Sequence, residues 1–369
     1  MLFRNYRFKS LNYRLIIYVL ALTVLGILII GSANPVSQKK QIVGLILGII
    51  VMFGMALVDY EYILNFHWFY YIIMVVTLFL VLTGLGHGSH GAKRWINLGI
   101  VFQPSELAKV LIVLFLAWFL NKYRDVLNTR KTLAAVAILC GIPLLLILKE
   151  PDLSTTIVTF MVCVSLIFCA GLTNKIVVPA VSIGIPAFFL YILFVFQTKN
   201  ALLPKYQAKR ILAWLHPEDY PQSSFQQTNS IMAIGSGLVF GKGLNNNSTT
   251  SVKNGNFIPE PQTDFIFAVA GEELGFIGSL LIIGLTFLIA YECVKTAKKA
   301  NSFSGSLICV GMACIIAYQS FVNICVVTGL MPNTGLTLPF VSYGLTSLLT
   351  LYFGIGIVLN ISLQEKRYR

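Results

Sequence analysis

Charged side chains are scarce in this chain, so the places where they gather are the places where chemistry can occur. The most informative is Glu260-Pro261-Gln262-Thr263-Asp264-Phe265-Ile266-Phe267, where a polar segment runs into an apolar one. Asp264 is expected in the first turn of the helix that follows, at a water–membrane boundary. The helix dipole favours a carboxylate there, so Asp264 either caps that helix or faces a polar cavity. Glu272 and Glu273 follow roughly 12–13 Å further along at about 1.5 Å per residue. Successive helix positions are about 100° apart, so the two cannot face one cavity, and Glu272 is the candidate to share that of Asp264.

Four further groupings carry charge. Gln103-Pro104-Ser105-Glu106-Leu107-Ala108-Lys109 opens an apolar run. Proline suits a first helical turn with Gln103 or a neighbour as cap, and Glu106 and Lys109, three apart, can pair. That pair either orients the helix or lines a cavity holding a polar head group. Just before it, Gly91-Ala92-Lys93-Arg94-Trp95 either anchors the chain at a membrane interface or clamps a phosphate through Lys93 and Arg94. Lys149-Glu150-Pro151-Asp152-Leu153-Ser154-Thr155-Thr156 separates two apolar runs with more charge than a turn needs; Asp152 or Ser154 can cap the next helix. Finally, residues 205–216 read as a helix with Lys205, Lys209 and His216 on one side and Ile211, Trp214 and Leu215 opposite, the pattern of a helix resting on a membrane surface. Arg210 belongs to it.

The elements that must position these groups are membrane helices. Of 369 residues, 57% are hydrophobic and 11% charged, against about 25% charge in a soluble domain, which excludes a water-soluble globule. At about 20 residues per crossing, ten spans fit: 15–33, 41–58, 66–85, 105–120, 132–148, 154–171, 175–196, 264–291, 304–328 and 338–361. The expected fold is therefore an all-α polytopic membrane protein, one domain over 1–369, with a large extracytoplasmic loop, 197–263, between the seventh and eighth spans. The first span, after Arg4, Arg7, Lys9 and Arg14, reads as an uncleaved anchor.

Bases crowd the loops of one side (Lys122, Arg124, Arg130, Lys131, Lys175, Lys295, Lys298, Lys299 and both termini) and thin out on the other (Lys39, Lys40, Lys93, Arg94, Lys149). By the positive-inside rule both termini are cytoplasmic. The net charge of +13 then reflects topology and anionic lipid and calls for no nucleic acid. Most acids fall toward the opposite side, which suggests a polar cavity open to the outside. The seven cysteines lie in or beside apolar runs without metal-ligand spacing, so no zinc site or disulfide framework is expected. No internal repeat is visible, which disfavours a secondary transporter.

Taken together, these stretches resemble the SEDS family of bacterial cell-wall proteins (RodA, FtsW and the sporulation member) over nearly the whole chain. The matching pieces are 91–95, 103–109, 149–155, Arg210–Asp219, Pro259–Gly275 and the late run Asn323–Ser347, which reads Asn-x5-Gly-Leu-Met-Pro-Asn-Thr-Gly-Leu-x3-Phe-Val-Ser-Tyr-Gly-Leu-Thr-Ser. Leu345 stands where the family usually has glycine, Asn333 is rare at its position, and His216 replaces a more usual aspartate or asparagine. The resemblance implies a peptidoglycan glycosyltransferase that polymerises lipid II into β-1,4-linked glycan strands, releasing undecaprenyl diphosphate. It implies a class B penicillin-binding protein as partner, besides lipid II, the nascent glycan and membrane lipid. It also implies residence in the bacterial plasma membrane.

The family's essential aspartate maps onto Asp264, taken as the catalytic residue. Substrate-binding candidates are Lys93, Arg94, Gln103, Glu106, Lys109, Glu150, Asp152, Arg210 and Glu272. A divalent cation (Mg2+ or Mn2+) could share the diphosphate's charge, with no ligands assignable. Within the family the chain reads as RodA-type, acting in cell elongation and shape. The alternatives are a lipid II flippase, an FtsW-type division or sporulation polymerase, or a scaffold for the penicillin-binding protein.

Overall fold

In hydrocarbon a chain must satisfy its own backbone, and an apolar run does so as a helix. The computed structural model, which describes residues 6–83, 86–89, 92–97, 101–198, 205–245, 251 and 258–364, is built on that solution. Its helices are α1 (Tyr13–Ala33), α2 (Pro35–Leu57), α3 (Tyr60–Asn65), α4 (His67–Leu82), α5 (Pro104–Lys122), α6 (Arg130–Lys149), α7 (Leu153–Cys169), α8 (Asn174–Thr198), α9 (Lys205–Leu215), α10 (Pro221–Ser236), α11 (Ile266–Lys299), α12 (Phe303–Val327) and α13 (Leu345–Leu363). Among the described residues, α1, α2, α5, α6, α11, α12 and α13 are long and apolar enough to cross a membrane. Helices α4 and α7 and the Asn174–Gly184 part of α8 are shorter apolar segments. These ten helices coincide with the ten expected spans, give or take a few residues, except that α11 runs on to Lys299 and α13 starts seven residues late.

Helix α5 lies at the centre. Every residue from Val110 to Ala117 is buried, as befits a helix that is apolar all round. The outer helices keep apolar side chains exposed, such as Ile46 and Ile50 on α2, Phe69 and Phe79 on α4, and Leu145 on α6, which is the surface lipid should meet.

The all-helical expectation needs one addition. Between α4 and α5 lies a small antiparallel sheet, β1 (Gly86–Ser89), β2 (Ala92–Asn97) and β3 (Val101–Phe102), in the order β1-β2-β3. On β2, Arg94 and Ile96 are buried and Trp95 between them is half-buried, the period of two that a strand imposes. The described residues between the seventh and eighth expected spans also fold α9 and α10.

Helix α11 is broken at Gly275, whose φ of 66° and ψ of −160° are not helical. The loop after α10 makes good the lost bonds. The amides of Lys242 and Gly243 donate to the Glu272 and Glu273 carbonyls, both at 2.9 Å, while those of Phe276 and Ile277 donate to the Leu238 and Val239 carbonyls at 2.9 and 3.2 Å. That φ/ψ region is essentially closed to residues with a side chain, at a cost of about 1–3 kcal/mol, and a methyl here would collide with the Gly241 amide. Gly275→Ala is therefore expected to lower the thermal midpoint of the detergent-solubilised protein by several degrees; an unchanged midpoint would show that the break is not required.

Candidate active site

Four segments far apart in sequence meet on the face of the protein that carries the long loop. The first is the turn before α11. Asp264 lies two residues ahead of Ile266, not within the helix's first turn as the sequence suggested. Its main-chain carbonyl accepts a 2.8 Å bond from Asn323 Nδ2 on α12, and the same amide donates to the Leu336 carbonyl at 2.6 Å. One buried side chain thus staples the Asp264 turn to the α12–α13 connection through the main chain.

The second and third segments supply guanidinium groups. Arg94 on β2 is buried, donates through Nη2 to the Pro151 carbonyl, and holds Nε 4.0 Å from Asp152 Oδ2. Arg210 on α9 donates through Nη1 to the Asn333 carbonyl at 3.2 Å. The fourth segment is the α12–α13 connection, where Gly335 adopts φ +76°. A Cβ placed on Gly335 would stand 3.3 Å from Asp264 Oδ2, 3.4 Å from Arg94 Nη1 and 3.6 Å from Arg210 Nη1. One carboxylate and two guanidinium groups therefore surround a single point. Beside it opens a small cleft lined by Arg94, Pro151, Arg210, Pro332, Asn333 and Thr334 among others.

The local folding follows from the residue types. Asp152 caps α7 by accepting the Thr155 amide at 3.2 Å, and its other oxygen faces Arg94 and, at 3.5 Å, Gln103 Nε2. Ser154 donates to the Thr334 carbonyl at 3.0 Å, tying α7 to the same connection. Gln103 occupies the position before α5, but its side chain turns to Ser105 Oγ at 3.2 Å instead of capping. Helix α9 turns its apolar side onto the protein: Ile211, Leu212 and Ala213 are buried, and Trp214 Nε1 donates to the Gly329 carbonyl at 2.8 Å. The amphipathic pattern read as a membrane-resting helix is the pattern of a helix docked over the α12–α13 connection, which brings Arg210 to the cluster.

Two carboxyls here titrate far from their usual range. Burial raises Asp264 to about 6, with Arg210 and then Arg94 pulling it down and Asp152 and Glu260 pushing it up. It remains mostly ionised at neutral pH, as a general base must be. Glu150 is wholly buried, with neither oxygen hydrogen-bonded among the described residues. Burial, reinforced by Asp152 and opposed by Arg94, raises it to about 9, so at neutral pH it is an uncharged acid. Glu150→Gln, neutral and of the same shape, is expected to keep the wild-type rate at pH 7 within a few-fold. It should also remove an alkaline fall near pH 9, where the wild-type carboxyl ionises beside Asp152. A large loss at pH 7, or an alkaline limb that persists, would show that the ionised form is the working one.

The remaining candidates lie elsewhere. Lys109 Nζ bonds Glu106 Oε1 at 2.8 Å and Gln319 Oε1 at 2.6 Å, and Gln319 Nε2 reaches the Thr337 carbonyl at 3.0 Å. With Lys109 only 2% exposed, this network joins α5, α12 and the late connection and does not line the cleft. Glu272 takes Lys242 Nζ at 2.8 Å and Ser251 Oγ at 3.3 Å, while Glu273 accepts from Ser32 on α1. The two acids do face different ways, and both serve the α11 break. The side chain of Lys93 lies outside the described residues. Sequence reasoning did not single out Gly335, Asn323 or Gln319 as functional; buried amides at 319 and 323 of an otherwise apolar helix were the available signal. Among the described residues no three His, Cys, Asp or Glu side chains group as metal ligands.

Comparison with known proteins places this geometry in context. The family described as "Cell cycle protein", FtsW/RodA/SpoVE, matches residues 8–367. A probable peptidoglycan glycosyltransferase FtsW of Geobacter sulfurreducens is 34% identical, with 96% of each chain covered. Stage V sporulation protein E of Bacillus subtilis is 35% identical over 94% of this chain and 96% of that one. Peptidoglycan glycosyltransferase MrdB of Escherichia coli K12 is 34% identical over 96% and 94%. Among solved structures, a chain from work on the structural coordination of polymerization and crosslinking by a peptidoglycan synthase complex superposes with a TM-score of 0.78 at 29% identity, covering 95% of this chain and 97% of that one. The rod shape determining protein RodA of Thermus thermophilus superposes with a TM-score of 0.68 at 28% identity, covering 96% and 97%.

Proposed function

We propose, from the premise that this multi-pass membrane chain belongs to the FtsW/RodA/SpoVE family and is a peptidoglycan glycosyltransferase, that it polymerises lipid II at the cluster of Asp264, Arg94 and Arg210. The observation that carries this reading is the convergence of those three side chains within 3.6 Å of one point above Gly335. A sugar hydroxyl is a poor nucleophile, and Asp264 accepts its proton as the oxygen attacks the donor's anomeric carbon. The bond from that carbon to the diphosphate breaks, and the electron pair leaves on the diphosphate oxygen. Positive charge placed beforehand beside that oxygen lowers the barrier, and the two guanidinium forks are suited to it. Attack opposite the departing group inverts the anomeric centre, giving a β-1,4 link. Asp152 holds Arg94 in place.

The reading extends to orientation, partner and role. The charge distribution supports cytoplasmic termini, which puts the cluster outside the cell. The similar synthase complex, by its description, couples polymerization to crosslinking, and a class B penicillin-binding protein as partner of this chain follows from that likeness. A role in elongation and cell shape draws its support from the likeness to the rod shape determining protein RodA.

The test is reconstitution of the purified chain and its partner in vesicles supplied with lipid II, followed by separation of the products by length. Glycan ladders are the expected result. Transfer of lipid II between leaflets without polymer would favour a flippase, and neither product would favour a scaffold.

A further inference from the structure

The long loop returns to the membrane. Midway along α10, Gln227 Nε2 donates to the carbonyls of Val326, in the last turn of α12, and Met331, just beyond it. The helix then runs alongside α11 until Gly237 lies against the Gly271 carbonyl. There the chain turns, and the Leu238 and Val239 carbonyls accept the Phe276 and Ile277 amides. Gly237 and Gly241, on either side of the turn, press its backbone flush against α11 where no side chain would fit. The intervening side chains consequently point away from the protein: Leu238 is 78% exposed, Val239 51% and Phe240 80%.

The level of this turn can be read from α11. From Ile266 to Glu273 every residue is buried in protein, and the exposed apolar side chains begin at Phe276 and end at Val294, just before Lys295. That interval is about 27 Å at 1.5 Å per residue, close to the roughly 30 Å of a bilayer's hydrocarbon core. On α1 the same level is marked by Ser32, bonded to Glu273, shortly before the exposed Lys39 and Lys40 in the first turns of α2. The turn after α10 thus lies where lipid-facing α11 begins, continuous with that face.

We infer that Leu238, Val239 and Phe240 form the tip of a re-entrant hairpin that dips into the acyl-chain edge of the bilayer. The tip anchors the loop carrying Arg210 at a fixed height above the hydrocarbon. Backbone at this depth is tolerated because its polar groups are paired with α11. Asp264 stands about 13 Å higher, the length of Ile266–Leu274 at 1.5 Å per residue, clear of the acyl chains.

Spin labels test this in the full chain reconstituted in phosphatidylethanolamine–phosphatidylglycerol vesicles. The background is Cys169→Ser, because Cys169 is exposed. Labels are placed at Phe240→Cys, at Glu218→Cys as an exposed site on the same loop, and at Phe287→Cys on the lipid face of α11. At position 240 the ratio of oxygen to nickel-chelate collisions should be several-fold above that at 218 and approach that at 287. Leu238→Cys should repeat the result should the first variant fold poorly. A ratio at 240 equal to that at 218 would overturn the inference by placing the turn in water. Low collision rates with both reagents would overturn it by showing that protein, such as a second copy, covers the turn.

Discussion

Asp264→Asn should lower glycan polymerisation by about 10²- to 10⁴-fold, the usual contribution of a positioned general base. The change keeps shape and size. Because Asn323 holds the Asp264 main-chain carbonyl and not its carboxylate, the turn should survive, with thermal midpoint and lipid II binding retained. The same carboxyl fixes the pH profile. Its pKa is raised to about 6, so the base is present above pH 6 and is lost as pH falls through that value, giving an acid limb with its midpoint there. Arg210 is the stronger of the two cations that pull this pKa down. Removing it in Arg210→Gln should move the acid limb to higher pH while also slowing departure of the diphosphate. An Asp264→Asn enzyme with near wild-type rates, or an acid limb indifferent to Arg210, would remove Asp264 from the role of base.

Much of this arrangement was legible before any coordinates, for physical reasons. A membrane leaves a long apolar run few choices, so the spans announce themselves. Even the break after Lys149 could be read, because Glu150-Pro151-Asp152 cannot continue a helix in hydrocarbon. Asp264, Arg94, Arg210 and Asp152 stood out because charge beside apolar spans is expensive. What the sequence left open was which charges meet. Glu272 and Lys109 are as conspicuous as Asp264, yet Lys242 engages one and Gln319 the other, and both partners are long-range contacts. The sheet was not foreseen because three short strands beside a span carry too few residues to show a period. Helix α9 was foreseen, but its apolar side fits lipid and protein equally well. Only the burial of Ile211 and Leu212 decides between them.

Gly335→Ala should abolish most of the activity through a single methyl group, and the reason separates chemistry from folding. At φ +76° any side chain pays a left-handed backbone penalty of roughly 1–2 kcal/mol, a modest loss within a network that includes the Asn323, Ser154 and Arg210 bonds to the same connection. The added carbon would stand 3.3–3.6 Å from Asp264 Oδ2, Arg94 Nη1 and Arg210 Nη1, occupying the point on which base and cations converge. A reacting hydroxyl must approach the base to about 2.6–3.2 Å, and a methyl there holds it off. The expected result is a thermal midpoint lowered by only a few degrees together with a fall in polymerisation of about 10²-fold, the scale set by a misplacement near 1 Å. Gly335→Ser adds a hydroxyl in the same place and should do no better. If the alanine variant polymerises normally, the sugar does not enter between Asp264 and the two arginines, and the site of bond formation lies elsewhere on the cleft.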